Sequence, residues 1–112
     1  MKDYYNIFVE LCSKMCHCGD YGSKKRVKEH NKAMDKIYNL KDELNNPEGE
    51  EILLRLLFHE NGMVVLNAAM LCLELNFHKK EKKERVIYVK DSSKDPLIQF
   101  NAETMLKFNF RS

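Results

Sequence analysis

Apolar residues along this chain recur at helical spacing, most densely from Ile52 to Leu75, ILLRLLFHENGMVVLNAAMLCLEL. Two apolar blocks are joined there by the polar break His59-Glu60-Asn61-Gly62. Each block is long enough for a helix and the break only for a turn, which predicts an αα-hairpin, the unit that helical repeat proteins stack. The pattern predicts helices over 47–58 and 63–75. Ile52, Leu53, Leu56 and Leu57 form the buried stripe of the first, and Val64, Val65, Ala68, Ala69, Leu71 and Cys72 that of the second. Small Ala68 and Ala69 beside large leucines allow two helices to approach closely.

The same period extends to both sides. Tyr4, Ile7, Phe8, Leu11, Cys12 and Met15 follow i, i+3, i+4 spacing and predict a helix over 3–17, capped by Asp3 and stopped by Gly19. A longer helix is expected over 23–44, where Val27, Met34, Ile37, Leu40 and Leu44, flanked by Ala33 and Tyr38, make a narrow apolar face. Asn46-Pro47 then supplies a cap followed by proline at the first helical position, and Asp95-Pro96 repeats that signature. Val86, Ile87 and Val89 follow a charged start at 80–90. Val-Ile-Tyr-Val also suits a strand, but no second strand exists to pair with it, so a helix is expected. Asp91 to Asp95 reads as a loop before a last helix over 96–108, with Ile98, Ala102, Met105 and Leu106 inward and Phe108 and Phe110 trailing. The expected fold is all-α: about six helices in antiparallel hairpins, forming a single domain over 1–112.

Composition agrees. A chain of 112 residues with 44% hydrophobic and 32% charged residues is large enough for a core without staples. The start, MKDYYNIFVELC, interrupts its apolar run with Asp3, Asn6 and Glu10, so it lacks the core of a signal peptide. Arg55, His59, Glu60, Asn61, Gly62, Asn67 and Glu74 break the apolar stretch too often for a membrane span. A cytoplasmic protein is expected. Without an export signal the four cysteines are expected as reduced thiols. Cys12, Cys16, His17 and Cys18, or a set borrowing His30, are the candidate metal ligands. Adjacent Cys-His-Cys side chains on a helix diverge and their spacing fits no zinc knuckle, so neither metal nor cofactor is expected.

Catalysis is not expected either. His17, His30, His59 and His78 are scattered, with no acid, base or nucleophile at catalytic spacing, and His59 at the turn is expected to satisfy a helix-end carbonyl. The charge pattern offers more. Asp42, Glu43, Glu48, Glu50 and Glu51 form a stretch without a basic residue, while Lys24 to Lys28 and Lys79 to Arg85 are lysine-rich. The acids could plug a basic cleft on a partner with electrostatically steered association. Glu48, Glu50 and Glu51 also suit the positive end of a helix dipole, which would explain them without a partner. The basic segments admit a nucleic-acid reading. A net charge of +2 and the lack of interleaved aromatics argue against it, and the lysines read as solvated faces.

Several of these residues carry a resemblance. Gly19-Asp20, a long helix bearing Asn31-Lys32, Leu53-Leu54-x-Leu56-Leu57-x-His59 and Val64-x-x-x-Ala68-Ala69 resemble a small bacterial HEAT/armadillo-like family catalogued as a domain of unknown function. The ending Pro96-Leu97-Ile98, then Asn101-Ala102-Glu103-Thr104-x-Leu106, looks similar too, so the resemblance spans Gly19 to Phe110. This chain departs from it at Glu60, where a proline is usual, and at Phe108, where a tryptophan often closes the final helix. The resemblance implies hairpins stacked in a right-handed HEAT/armadillo-like superhelix. It also implies an immunity protein that neutralises a cognate bacterial protein toxin by steric occlusion, with a nuclease domain as one candidate partner; the sequence leaves the oligomeric state open, with a monomer favoured. The expected contacts are Asp42, Glu43, Glu48, Glu50 and Glu51, and then Asn31, Asp35 and Asn39 on the exposed face of the long helix. A nucleic-acid-binding or general scaffold protein is the alternative.

Overall fold

The computed structural model describes residues 3–16 and 24–108, with side chains left undescribed at 14–16, 24–27, 29 and 30. Six helices follow one another: α1 (Tyr4–Cys16), α2 (Lys24–Glu43), α3 (Pro47–Leu57), α4 (Gly62–Leu75), α5 (Lys79–Ser92) and α6 (Pro96–Phe108). Among the described residues there is no strand, and Val86 to Val89 lie within α5. The Gly19 stop, the Met15 and Val27 side chains and Phe110 lie outside what is described.

Helix ends are set by local chemistry. Asp3 Oδ1 accepts the Asn6 N–H at 3.2 Å, so the first cap forms as its sequence predicts. Asn46 Oδ1 accepts the Gly49 N–H at 2.7 Å with Pro47 as the first residue of α3. Asp95 Oδ1 accepts the Leu97 N–H at 2.9 Å at the start of α6. α3 stops one residue before Phe58, and Asn61 caps α4 through the Met63 N–H at 2.9 Å. α4 ends in a Schellman turn on Asn76 (φ 61°), with the Phe77 N–H on the Cys72 carbonyl at 2.9 Å. α5 runs on through Ser92, where a loop is expected from Asp91. The Ser92 hydroxyl bonds back to the Tyr88 carbonyl at 2.6 Å and the Ser93 N–H to Val89 at 2.9 Å, which completes the extra turn.

α4 is the hub. It packs against all five other helices, and Met63 to Ala69, Leu71 and Cys72 are all buried. A helix that is apolar on every side has to be enclosed in this way. Phe8, Ile37, Leu53, Leu56, Leu57 and Val86, each fully buried, close around it. Truncating such a leucine to alanine costs ~2–5 kcal/mol. Asn67 is the polar residue inside this helix, and its Nδ2 donates to the Met63 carbonyl at 2.9 Å and toward Cys12 Sγ at 3.7 Å.

Three positions differ from expectation. Tyr38 and Ile87 face solvent, because Ile37 and Val86 beside them already point inward and successive helical positions diverge by about 100°. Lys82, expected on a solvated face, is only 5% exposed. It lies one turn before Val86 on the same buried stripe.

Candidate protein-binding surface

The acidic residues flank the turn between α2 and α3. Asp42 and Glu43 finish α2, the turn Leu44 to Asn46 follows, and Glu48, Glu50 and Glu51 begin α3; all five are exposed. Glu48 and Glu50 lie in the first turn of α3, where the helix dipole favours them. Asp42 and Glu43 sit at the negative end of α2, where the same dipole disfavours carboxylates by ~0.3–1 kcal/mol. Helix stability therefore accounts for Glu48 and Glu50 and not for Asp42 and Glu43. Glu43 is partly committed within the fold, since the Tyr4 hydroxyl donates to its Oε1 at 3.3 Å. Lys41 borders the stretch. Its ammonium sits 4.4 Å from the centre of the Tyr38 ring and bonds to the Tyr38 hydroxyl at 3.3 Å, which raises the lysine's pKa.

Asn31, Asp35 and Asn39 are exposed at i, i+4 and i+8 on α2. Asp42, three residues further on, continues that stripe to within about 20° of Asn31 at 3.6 residues per turn. The two sets of residues expected to make contacts therefore meet at Asp42.

A second surface, not anticipated from the sequence, lies at the opposite end of α3, about 16 Å away by helical rise. Arg85 of α5 reaches across, and its Nε–H donates to the Leu57 carbonyl at 2.7 Å. Its guanidinium lies 4.8 Å from the Phe58 ring centre and 4.4 Å from that of Tyr88. Those rings are 59% and 55% exposed, so two aromatics and a fixed arginine share one solvent-facing ridge. Arg55, in the last turn of α3, sits 5.0 Å over Tyr5, whose ring in turn lies 6.3 Å from His59. Aromatic residues and arginine are the side chains that protein interfaces concentrate. The sequence contained half of the signal, because Arg85 and Tyr88 are one turn apart on a helix. Their meeting with Phe58 depends on how α5 packs against α3.

The remaining polar groups are tied into the fold. His59 Nδ1 accepts the Asn61 N–H at 3.0 Å, so it braces the turn through an amide and not through the helix-end carbonyl expected of it. His78, at φ 49°, donates from Nε2 to the Glu50 carbonyl at 2.7 Å. Cys12 and Cys72 are both buried. Burial pushes the Cys72 thiol up to about 12, although nearby Lys82 pulls it down. Lys82 Nζ donates to the Cys72 carbonyl at 3.5 Å, and burial lowers its pKa. Among the described residues no group of three or more His, Cys, Asp or Glu is arranged to hold a metal ion. His17, Cys18 and the Cys16 and His30 side chains lie outside them. Among the described residues no helix is long and apolar enough to cross a membrane. No family model, curated protein or solved structure matches the chain.

Proposed function

We propose that this protein is a binding module whose rigid helical body presents its surface to a partner protein, and that it acts by occlusion and not by catalysis. The observation that carries this reading is the exposed ridge of Phe58, Arg85 and Tyr88. Two aromatic rings left in water gain most from a partner that covers them, and helices already held in place lose little freedom on binding.

The more specific form of the proposal is an immunity protein that covers the active site or docking surface of a cognate bacterial toxin. Its framework is three hairpins, α1/α2, α3/α4 and α5/α6, stacked in a HEAT/armadillo-like right-handed superhelix. Contacts within each pair, among α1, α3 and α5, and among α2, α4 and α6 support that stacking. The exposed carboxylates Asp42 and Glu43, disfavoured by their own helix dipole, support recognition of a basic partner at that end.

The test is binding to the C-terminal domain of a secreted protein encoded next to this one. Reversing Asp42, Glu43 and Glu50 to lysine is expected to weaken that binding by several kcal/mol in sum, as close interfacial charge pairs couple at ~1.5–7 kcal/mol. The fold is expected to survive, because all three side chains are exposed. Unchanged affinity would clear the acidic stretch and move the contact to Asn31, Asp35 and Asn39 or to the Arg85 ridge. If no such neighbour exists and the lysine-rich segments retain RNA or DNA with steep salt dependence, the nucleic-acid alternative replaces this reading.

A further inference from the structure

We propose that Arg85 is an anion-receiving residue, whose guanidinium fork, flanked by Phe58 and Tyr88, takes a carboxylate from an acidic, partly apolar segment of a protein partner. The inference rests on the protein-binding reading and adds the chemistry of what is bound.

Three features fix the arginine for this task. Its Nε–H is committed to the Leu57 carbonyl at 2.7 Å, which sets the plane of the guanidinium. Phe58 and Tyr88 hold it by stacking, at 4.8 and 4.4 Å. Among the described residues no carboxylate lies within ion-pair distance of Arg85. Two terminal nitrogens thus remain with their donors free for a planar, two-point acceptor such as carboxylate. A guanidinium already immobilised loses little freedom per bond formed. The flanking rings lower the local polarity, which strengthens an ion pair made between them.

The surroundings favour a carboxylate on a peptide over a phosphate chain. Arg55, one turn before Phe58, adds a second cation on the Tyr5 ring, likewise without an ion pair among the described residues. Glu81 and Glu84 lie within about one turn of Arg85 on α5. Lys79, Lys80 and Lys83 surround them, so charge alone does not separate the two ligands, and the preference for a peptide rests on the apolar edges of Phe58 and Tyr88. The Arg85 guanidinium also occupies one face of each ring, which leaves fewer ring faces for the base stacking a single-strand binder needs. Phe58 and Tyr88 leave apolar edges in water beside the arginine, so the fitting segment carries an apolar side chain next to its acid.

The experiment is a titration of the whole ¹⁵N-labelled chain, followed through the Arg85 Nε–H and the backbone amides of Phe58 and Tyr88. The probes are a peptide alternating leucine with aspartate, its asparagine counterpart, and oligouridylate. The aspartate peptide is expected to shift all three signals and to bind about tenfold tighter than the asparagine peptide, the difference of one charge-assisted pair. Arg85→Lys keeps the charge but loses the fork, and should weaken the aspartate peptide by a similar factor. Tyr88→Leu leaves the Leu57 bond in place and should weaken it as well, which keeps the test valid if Arg85→Lys fails to fold. Equal binding of both peptides, tighter binding of oligouridylate, shifts confined to other segments, or no shift at millimolar peptide would each overturn the proposal. A tight protein partner whose affinity Arg85→Lys and Tyr88→Leu leave unchanged would overturn it too, while the binding-module reading stood.

Discussion

Arg85 and Leu57 are joined across two helices, the arginine Nε–H closing the last carbonyl of α3 from α5 at 2.7 Å. The C-terminus of α3 has no basic residue past Arg55 to satisfy it, so α5 supplies one. Arg85→Ala is expected to lower stability by ~1.5–3 kcal/mol, the range for a hydrogen bond from a charged group. Arg85→Lys should recover part of this through charge at the helix end, since lysine cannot reproduce the stacked plane. Urea unfolding with an unchanged slope measures both. An Arg85→Ala protein as stable as the parent would mean that the bond contributes nothing net.

Gly49 predicts a different failure. It is buried in the first turn of α3, and a β-carbon there would run into the Leu44 backbone. Its φ is not positive, so space and not conformation demands glycine. Gly49→Ala would normally gain ~0.8–1 kcal/mol of helix propensity. The clash should reverse that sign and destabilise the chain by ~1–3 kcal/mol. Thermal melting decides it, and a raised melting temperature would show that the α2–α3 turn can yield.

Lys82 makes stability depend on pH in a particular sense. Its folded pKa lies below the ordinary 10.5 because burial disfavours the charge. Below the folded value the lysine is charged in both states and the burial cost is present in full. As pH rises between the folded value and 10.5, the folded chain sheds the proton first and the cost is relieved. Lys82→Met, of similar length on the stripe shared with Val86, should therefore stabilise at neutral pH by on the order of 1 kcal/mol. That advantage should shrink toward pH 10 when the two chains are unfolded in urea side by side. A constant difference would show that packing, and not charge, separates them.

Much of the architecture is legible in the sequence because it is encoded locally. Asp3, Asn46-Pro47 and Asp95-Pro96 carry their caps in adjacent residues, and each forms as read. The apolar run around Leu66 to Cys72 marks α4 as enclosed before its neighbours are known. Lys82 is legible as well, since it falls at i−4 from Val86, although the lysines around it read as a solvated face. What the sequence does not encode locally is Phe58 beside Arg85. That meeting depends on the crossing of α3 and α5, which single-helix periodicity cannot fix. The acidic stretch is legible as chemistry, and it runs across the turn at Leu44 to Asn46 between α2 and α3.

The buried thiols supply the last prediction. Cys12 and Cys72 are both fully buried, and Cys72 ionises only near pH 12. The thiolate is the reacting species, so modification of either residue in the native chain must pass through an opening of the core. Replacing Cys16 and Cys18 by serine leaves these two as the only thiols. In that variant, alkylation by iodoacetamide at neutral pH should run at least ~10³-fold slower than in denaturant, as expected of sites exposed only by near-global unfolding with ~5 kcal/mol or more of stability. Peptide mapping assigns the label to each cysteine. Linkage adds a second readout. Because the folded Cys72 pKa lies above the ordinary 9.0, the unfolded chain loses its proton first as pH climbs, and stability falls between about 9 and about 12. Cys72→Ala should remove that alkaline loss while creating a small cavity beside α5. Labelling of Cys72 within minutes under native conditions would contradict both its burial and its raised pKa.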